Sequence, residues 1–205
     1  MKKRTYFIFI LFIIGWHTSH AQNDTNDTTW ISKHPIEIST GTHAIGLPFS
    51  HFFTAPYYPE LNIGLQSTFM DENRINLNMV NGVGLASHPF NGQKYFLNTY
   101  MRFKYKFPLN IYSQIGLGIA FNMLTSPNES YELNNNGVYE EKKNVETEWY
   151  SGFNIEIGYR ITAIKRLGFD LFSKYSAGIN LSHHPQIPVF PYNSTQVGLR
   201  FYFKK

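Results

Sequence analysis

The chain has 205 residues, no cysteine, 16% charged and 17% aromatic residues, and a formal net charge of +4 at pH 7. The lack of cysteine excludes a disulfide framework and a thiolate metal centre, and a mean hydropathy of −0.29 excludes a helical membrane bundle, which needs several apolar runs of about 20 residues. With 18 Phe and 14 Tyr the composition is also far from that of a disordered chain.

The first segment sets an expectation about compartment. Lys2, Lys3 and Arg4 precede an uncharged apolar run from Tyr6 to Trp16, and Ser19-His20-Ala21 follows. This order is that of a secretory signal peptide over residues 1–21, cut ahead of Gln22, since the apolar run is about half of what a spanning helix needs. Its removal discards three cations and takes the net charge from +4 to +1. The basic balance is therefore no argument for nucleic acid, and no such partner is expected. A polar lead-in over residues 22–34, rich in Asn, Asp and Thr, precedes a domain over 35–205.

From residue 35 the pattern alternates with period two and never turns helical. Eight strands are expected: Ile36 to Ile45, Leu61 to Met70, Arg74 to Ala86, Lys94 to Phe107, Asn110 to Met123, Glu148 to Thr162, Phe169 to Leu181 and Thr195 to Phe203. The connections alternate between long or medium (46–60, 87–93, 124–147, 182–194) and short (71–73, 108–109, 163–168). Strands of this length, in even number, with tight turns at one end and loops at the other, predict an all-β, antiparallel, eight-stranded up-and-down transmembrane barrel with periplasmic turns and extracellular loops. A closed sheet is required because an unpaired edge cannot be tolerated in lipid.

The polarity of the alternation assigns the two faces. Leu61, Ile63, Leu65, Ile115, Leu117, Ile119, Ile155, Ile157, Val197 and Leu199 face lipid, and ten of the fifteen glycines share the lumen face. Leu117→Arg is accordingly expected to be far costlier than Gly118→Ser. The lumen register also holds Glu37, Arg102, Lys104, Glu156, Arg160, Asp170, Lys174 and Arg200, with Arg74 and Lys106, a set of opposite charges expected to pair as a plug. Aromatics gather at strand ends on the lipid side, Phe103, Tyr105, Phe107, Tyr159, Phe169, Phe201 and Phe203 towards the turns and Tyr95, Phe121, Trp149 and Phe153 towards the loops. In the loop 124–147, the arms Tyr131-Glu132-Leu133 and Val138-Tyr139-Glu140 flank Asn134-Asn-Asn-Gly137, so strands five and six are expected to run on as a hairpin above the membrane.

The last strand alternates Val197, Leu199, Phe201 and Phe203 with Gly198, Arg200 and Tyr202, and Lys204 and Lys205 follow. This resembles the aromatic-ended strand read by outer-membrane barrel-assembly machinery. The mature chain as a whole resembles the small eight-stranded outer-membrane class of OmpX, the OmpA membrane domain, PagP and PagL, and, in Ser113 to Phe121, the small barrels of Bacteroidota-type bacteria. The resemblance implies an outer-membrane monomer in contact with lipid and lipopolysaccharide, with a structural or surface-interaction role and a possible surface protein partner. It supplies no function by itself.

Chemistry is weighed against that background. Gly82-Val-Gly84 and Gly116-Leu-Gly118 lack the third glycine and helix of a dinucleotide site, so lumen packing explains them better. A PagL-like lipid A deacylase would carry His-x-Ser on a strand face, yet the one His-x-Ser here is His17 to Ser19 in the signal segment. A PagP-like acyltransferase would use His, Asp and Ser at the outer rim, where Ser50, His51, Ser182 and His183 fall. His51, His88, His183 and His184 are the rim candidates for Zn or Cu, although their spacing matches no metal site, and no cofactor is expected. An envelope lipid-modifying enzyme and a narrow channel stay open as alternatives.

Overall fold

The computed structural model describes residues 34–45, 58–72, 74–88, 92–125, 130–133, 138–142, 145–164, 167–182 and 189–203. The signal segment, residues 22–33 of the lead-in, Ser50, His51, His183 and His184 lie outside the described residues. Eight long strands form one closed antiparallel barrel: β1 (Ile36–Ile45), β2 (Tyr58–Asp71), β3 (Ile75–His88), β4 (Gly92–Lys106), β5 (Ile111–Thr125), β8 (Val145–Ile164), β9 (Leu167–Ser182) and β10 (Val189–Phe203). Between β5 and β8, β6 (Ser130–Leu133) and β7 (Tyr139–Lys142) pair only with each other, joining Leu133 to Tyr139 and Ser130 to Lys142. The hairpin thus forms where expected, as a separate two-stranded sheet and not as a continuation of the barrel strands.

Each strand pairs with its chain neighbour and β1 closes on β10, the connectivity of an up-and-down barrel. The register fixes its shear. From Ile45 the partners run through Tyr192, Gly178, Gly152, Gly118, Tyr100, Val80 and Gln66. Gln66 N–H then donates to Pro35 O, ten residues from the start. Eight strands with a shear of ten, spaced about 4.8 Å apart and rising about 3.3 Å per residue, tilt by about 40°. His34 helps seat the start of β1, its Nδ1 lying 3.2 Å from Ser67 Oγ on β2.

The burial pattern inverts that of a soluble barrel. Ile157 is 62% and Leu117 70% exposed on the outer wall, whereas Glu37, Arg102, Glu156 and Arg200 inside are 0% exposed. Lumen glycines face large side chains on neighbouring strands. Gly118 pairs with Tyr100, Gly158 with Tyr112 and with Phe172, and Gly198 with Phe172. A Cβ at Gly158 would collide with the Tyr112 ring, and one at Gly118 would meet the Tyr100 ring and, at 2.5 Å, the Thr99 carbonyl oxygen. Bulk on one strand thus fills the gap left on the next, which packs the lumen densely. The expected contrast between Leu117→Arg and Gly118→Ser is narrowed, because position 118 has no room for a side chain.

Three further expectations change. Arg74 is exposed in the turn before β3, where its carbonyl accepts from Lys106 N–H at 2.8 Å, so it does not enter the lumen. Lys106 lies at the turn-end mouth with its ammonium 2.7 Å from Asp71 Oδ1. The final strand begins at Val189, six residues early. Pro191 hid this extension, yet it sits beyond Tyr192, where the described ladder with β1 ends, and a residue without an N–H is tolerated there.

Candidate functional site

Alternation sends every second residue of eight strands into a space wide enough only for side chains, so charges far apart in sequence must meet. Nearest the turns, Asp170 on β9 accepts from Tyr202 Oη at 2.6 Å, Arg160 Nε at 2.9 Å and Lys104 Nζ at 3.0 Å. Lys104 also stands 3.6 Å from the Tyr112 ring centroid, and Arg160 lies over the Tyr202 ring. Arg160 is partly exposed at the mouth.

One step further in, Glu37 on β1 receives Arg102 in a two-pronged contact, Nη1 to Oε2 at 2.7 Å and Nη2 to Oε1 at 3.3 Å. Arg200 Nη2 reaches the same carboxylate at 2.8 Å and Lys174 Nζ at 3.2 Å. Glu156 on β8 accepts from Arg200 Nη2 at 2.8 Å, Tyr112 Oη at 2.9 Å and Arg102 Nη1 at 3.4 Å. Arg200 Nη1 lies 3.6 Å from Asp170 Oδ2 and ties the two layers together. The lumen positions Glu37, Arg102, Lys104, Glu156, Arg160, Asp170, Lys174 and Arg200 therefore form one connected cluster of five cations and three carboxylates. Charges removed from water in this way are tolerated only with dense pairing and hydrogen bonding, which both layers supply. Tyr112 and Gln114, whose Nε2 donates to Glu156, complete the set.

Above this cluster, towards the loops, lies a second group that the sequence reading did not single out. Glu60 accepts from Tyr192 Oη at 2.8 Å and from the Gln196 amide. His43 stacks on Tyr192 with centroids 5.6 Å apart, and its Nδ1 is 4.0 Å from Glu60 Oε2. Lys94 Nζ stands 4.1 Å from the Tyr192 ring centroid. A cavity of about 30 Å³ remains between Lys94, Tyr100, Tyr150 and Tyr192 above and Lys174 below, room for roughly two waters. The signal was present in parity: His43 shares the face of Glu37, and Lys94 that of Arg102. Glu60 and Tyr192 were missed because they fell in stretches read as loops.

Of the rim histidines, His88 ends β3 at the loop end. His51, His183 and His184 are outside the described residues. Among the described residues no group of three or more His, Asp or Glu could hold a metal ion.

No family model matches the chain, and no curated protein matches it in sequence. Among solved structures it is similar to Neisserial surface protein A (NspA), with a TM-score of 0.52 and 8% identity over 84% of this chain and 98% of that one. Ail, the attachment invasion locus protein of Yersinia pestis, aligns with a TM-score of 0.41 and 11% identity over 82% of this chain and 96% of that one. The beta domain of the Bordetella autotransporter BrkA aligns with a TM-score of 0.32 and 12% identity over 83% and 99%. These are outer-membrane β-barrel proteins. At such identities the likeness to NspA shows the fold.

Proposed function

We propose that the protein is a small barrel of the bacterial outer membrane, of the OmpX-like class, that is sealed against ions and presents its loop end to the cell exterior as a structural or surface-interaction element. The observation that carries this reading is the combination of an apolar outer wall with an ion cluster across the lumen whose centre, Glu37, Arg102, Glu156 and Arg200, is fully buried. A sheet closed on itself leaves no edge to lipid, and a lumen filled with bridged charged side chains and rings leaves no pore. Residues 1–21 serve as the export signal, the barrel-assembly machinery receives the aromatic-ended β10, and outer-membrane lipid and lipopolysaccharide surround the wall. A separate surface protein is the further partner on this reading.

Because the chain has no cysteine, single thiols report orientation cleanly. Val138, beside the β6–β7 hairpin, and Leu109, in the turn between β4 and β5, are both exposed. A membrane-impermeant maleimide added to intact cells should label Val138→Cys and reach Leu109→Cys only after the outer membrane is opened. Labelling of Leu109→Cys alone, or of both variants equally in intact cells, contradicts the reading.

A further inference from the structure

One stretch of the outer wall is concave. In the loop half of the barrel two outward rows run side by side across β2, β3, β4 and β5. Leu61, Leu85, Tyr95 and Met123 are register partners, and one row nearer the turns so are Ile63, Val83, Leu97 and Phe121. Between the rows lies a groove of about 440 Å³ that reaches down to Gly84 and Phe96, themselves register partners. Four strands spaced about 4.8 Å apart make it about 14 Å long. Both of its long edges are polar. On the turn side Thr99 Oγ1 donates to Asn81 Oδ1 at 2.9 Å, so that edge is satisfied within the wall. On the loop side Ser87, Gln93 and Thr125 stand in one row. There Tyr95 Oη donates to Gln93 Oε1 at 2.6 Å and Thr125 Oγ1 to the Gln93 carbonyl at 3.2 Å. The Gln93 side-chain nitrogen and the Ser87 hydroxyl have no partner among the described residues.

We propose that this groove binds one acyl chain of an outer-leaflet lipid, the lipid A of lipopolysaccharide, with the sugar-phosphate headgroup at the Ser87–Gln93 edge. The inference rests on the membrane reading above. Continuity with the lipid-facing wall makes the occupant hydrocarbon, and a position beside the loop end makes the leaflet the outer one. In a bilayer no water is released when an apolar chain docks, so close packing must hold it. A chain beside a convex wall touches protein along one side only. A chain in the groove touches both rows and the floor, and each added contact contributes dispersion energy. The loop-side edge adds direction, because its two free donors suit phosphate and sugar oxygens. Val83 has the smallest side chain of the two rows and lies inside its row, so a larger side chain there fills the groove.

Native mass spectrometry of the mature barrel, extracted from outer membranes in mild detergent, reads the bound lipid directly. Wild type should carry one lipopolysaccharide molecule that survives detergent exchange, and Val83→Phe should retain roughly a tenth as much. Val197→Phe on β10 lies outside the groove and is similarly exposed, 55% against 53% for Val83, and it should retain as much as wild type. A heat-modifiable gel shift shows that each variant is folded. Equal retention by Val83→Phe and wild type, no retained lipid, or phospholipid or a second barrel held in its place overturns the proposal and leaves the membrane reading intact. Folded wild-type protein missing from the outer-membrane fraction overturns both.

Discussion

Glu37 and Arg102 face each other across the lumen from β1 and β4, strands that share no ladder, and meet in a two-pronged contact of 2.7 and 3.3 Å. Glu37 also receives Lys174 and Arg200, so three cations share this carboxylate, and Lys174 has no other salt-bridge partner among the described residues. Glu37→Gln keeps the shape and removes the charge. It should lower stability by about 3 to 5 kcal/mol, the cost of leaving buried charge uncompensated. Asp71→Asn at the exposed Lys106 pair should cost less than about 1 kcal/mol. Urea unfolding of both variants in lipid vesicles checks the contrast, and equal losses would mean that water reaches the cluster freely.

The outer wall makes an independent prediction. Leu117 is 70% exposed and lies midway along β5, so an arginine there meets hydrocarbon. Leu117→Arg should cost about 2 to 4 kcal/mol, whereas Ile111→Arg, at the turn end of the same strand, should cost about 0 to 1 kcal/mol. Folding yields into vesicles would show the gradient, and its absence would argue against a belt centred on Leu117.

The glycine packing can be tested by a double-mutant cycle. The three atoms nearest a Cβ at Gly158 all belong to Tyr112. Gly158→Ala alone should destabilise by roughly 1 to 3 kcal/mol through overpacking. In a Tyr112→Ala background the same change should be nearly neutral, although Tyr112→Ala is itself costly through the lost bonds to Glu156 and Arg200. Additive losses in the equilibrium unfolding of the four proteins would show that the ring does not fill the glycine's space.

The strands, their faces and the identity of the lumen charges were legible in the sequence because the side-chain period of a strand is two and each face meets a different medium. Which charges pair was not, since Arg102 and Glu37 meet only once eight registers and a shear of ten are fixed. The glycine positions were legible and their purpose was not: Gly158 looked merely small until Tyr112 stood opposite it. Strand ends were read short where Pro191 and Asn193 broke the alternation, and this hid Tyr192 and with it the Glu60 group. Arg74 shows the converse error, a correct parity carried one residue past the end of its strand.

The most direct test of the central claim, that the buried cluster closes the lumen, is the conductance of the purified mature barrel in planar bilayers, with insertion confirmed by the heat-modifiable form recovered from the same membranes. A closed lumen predicts a baseline indistinguishable from protein-free bilayer across the applied voltages. A steady, ion-selective conductance would contradict it, because ions could then pass Glu37, Arg102, Glu156 and Arg200, and the residues assigned to the plug would line its channel.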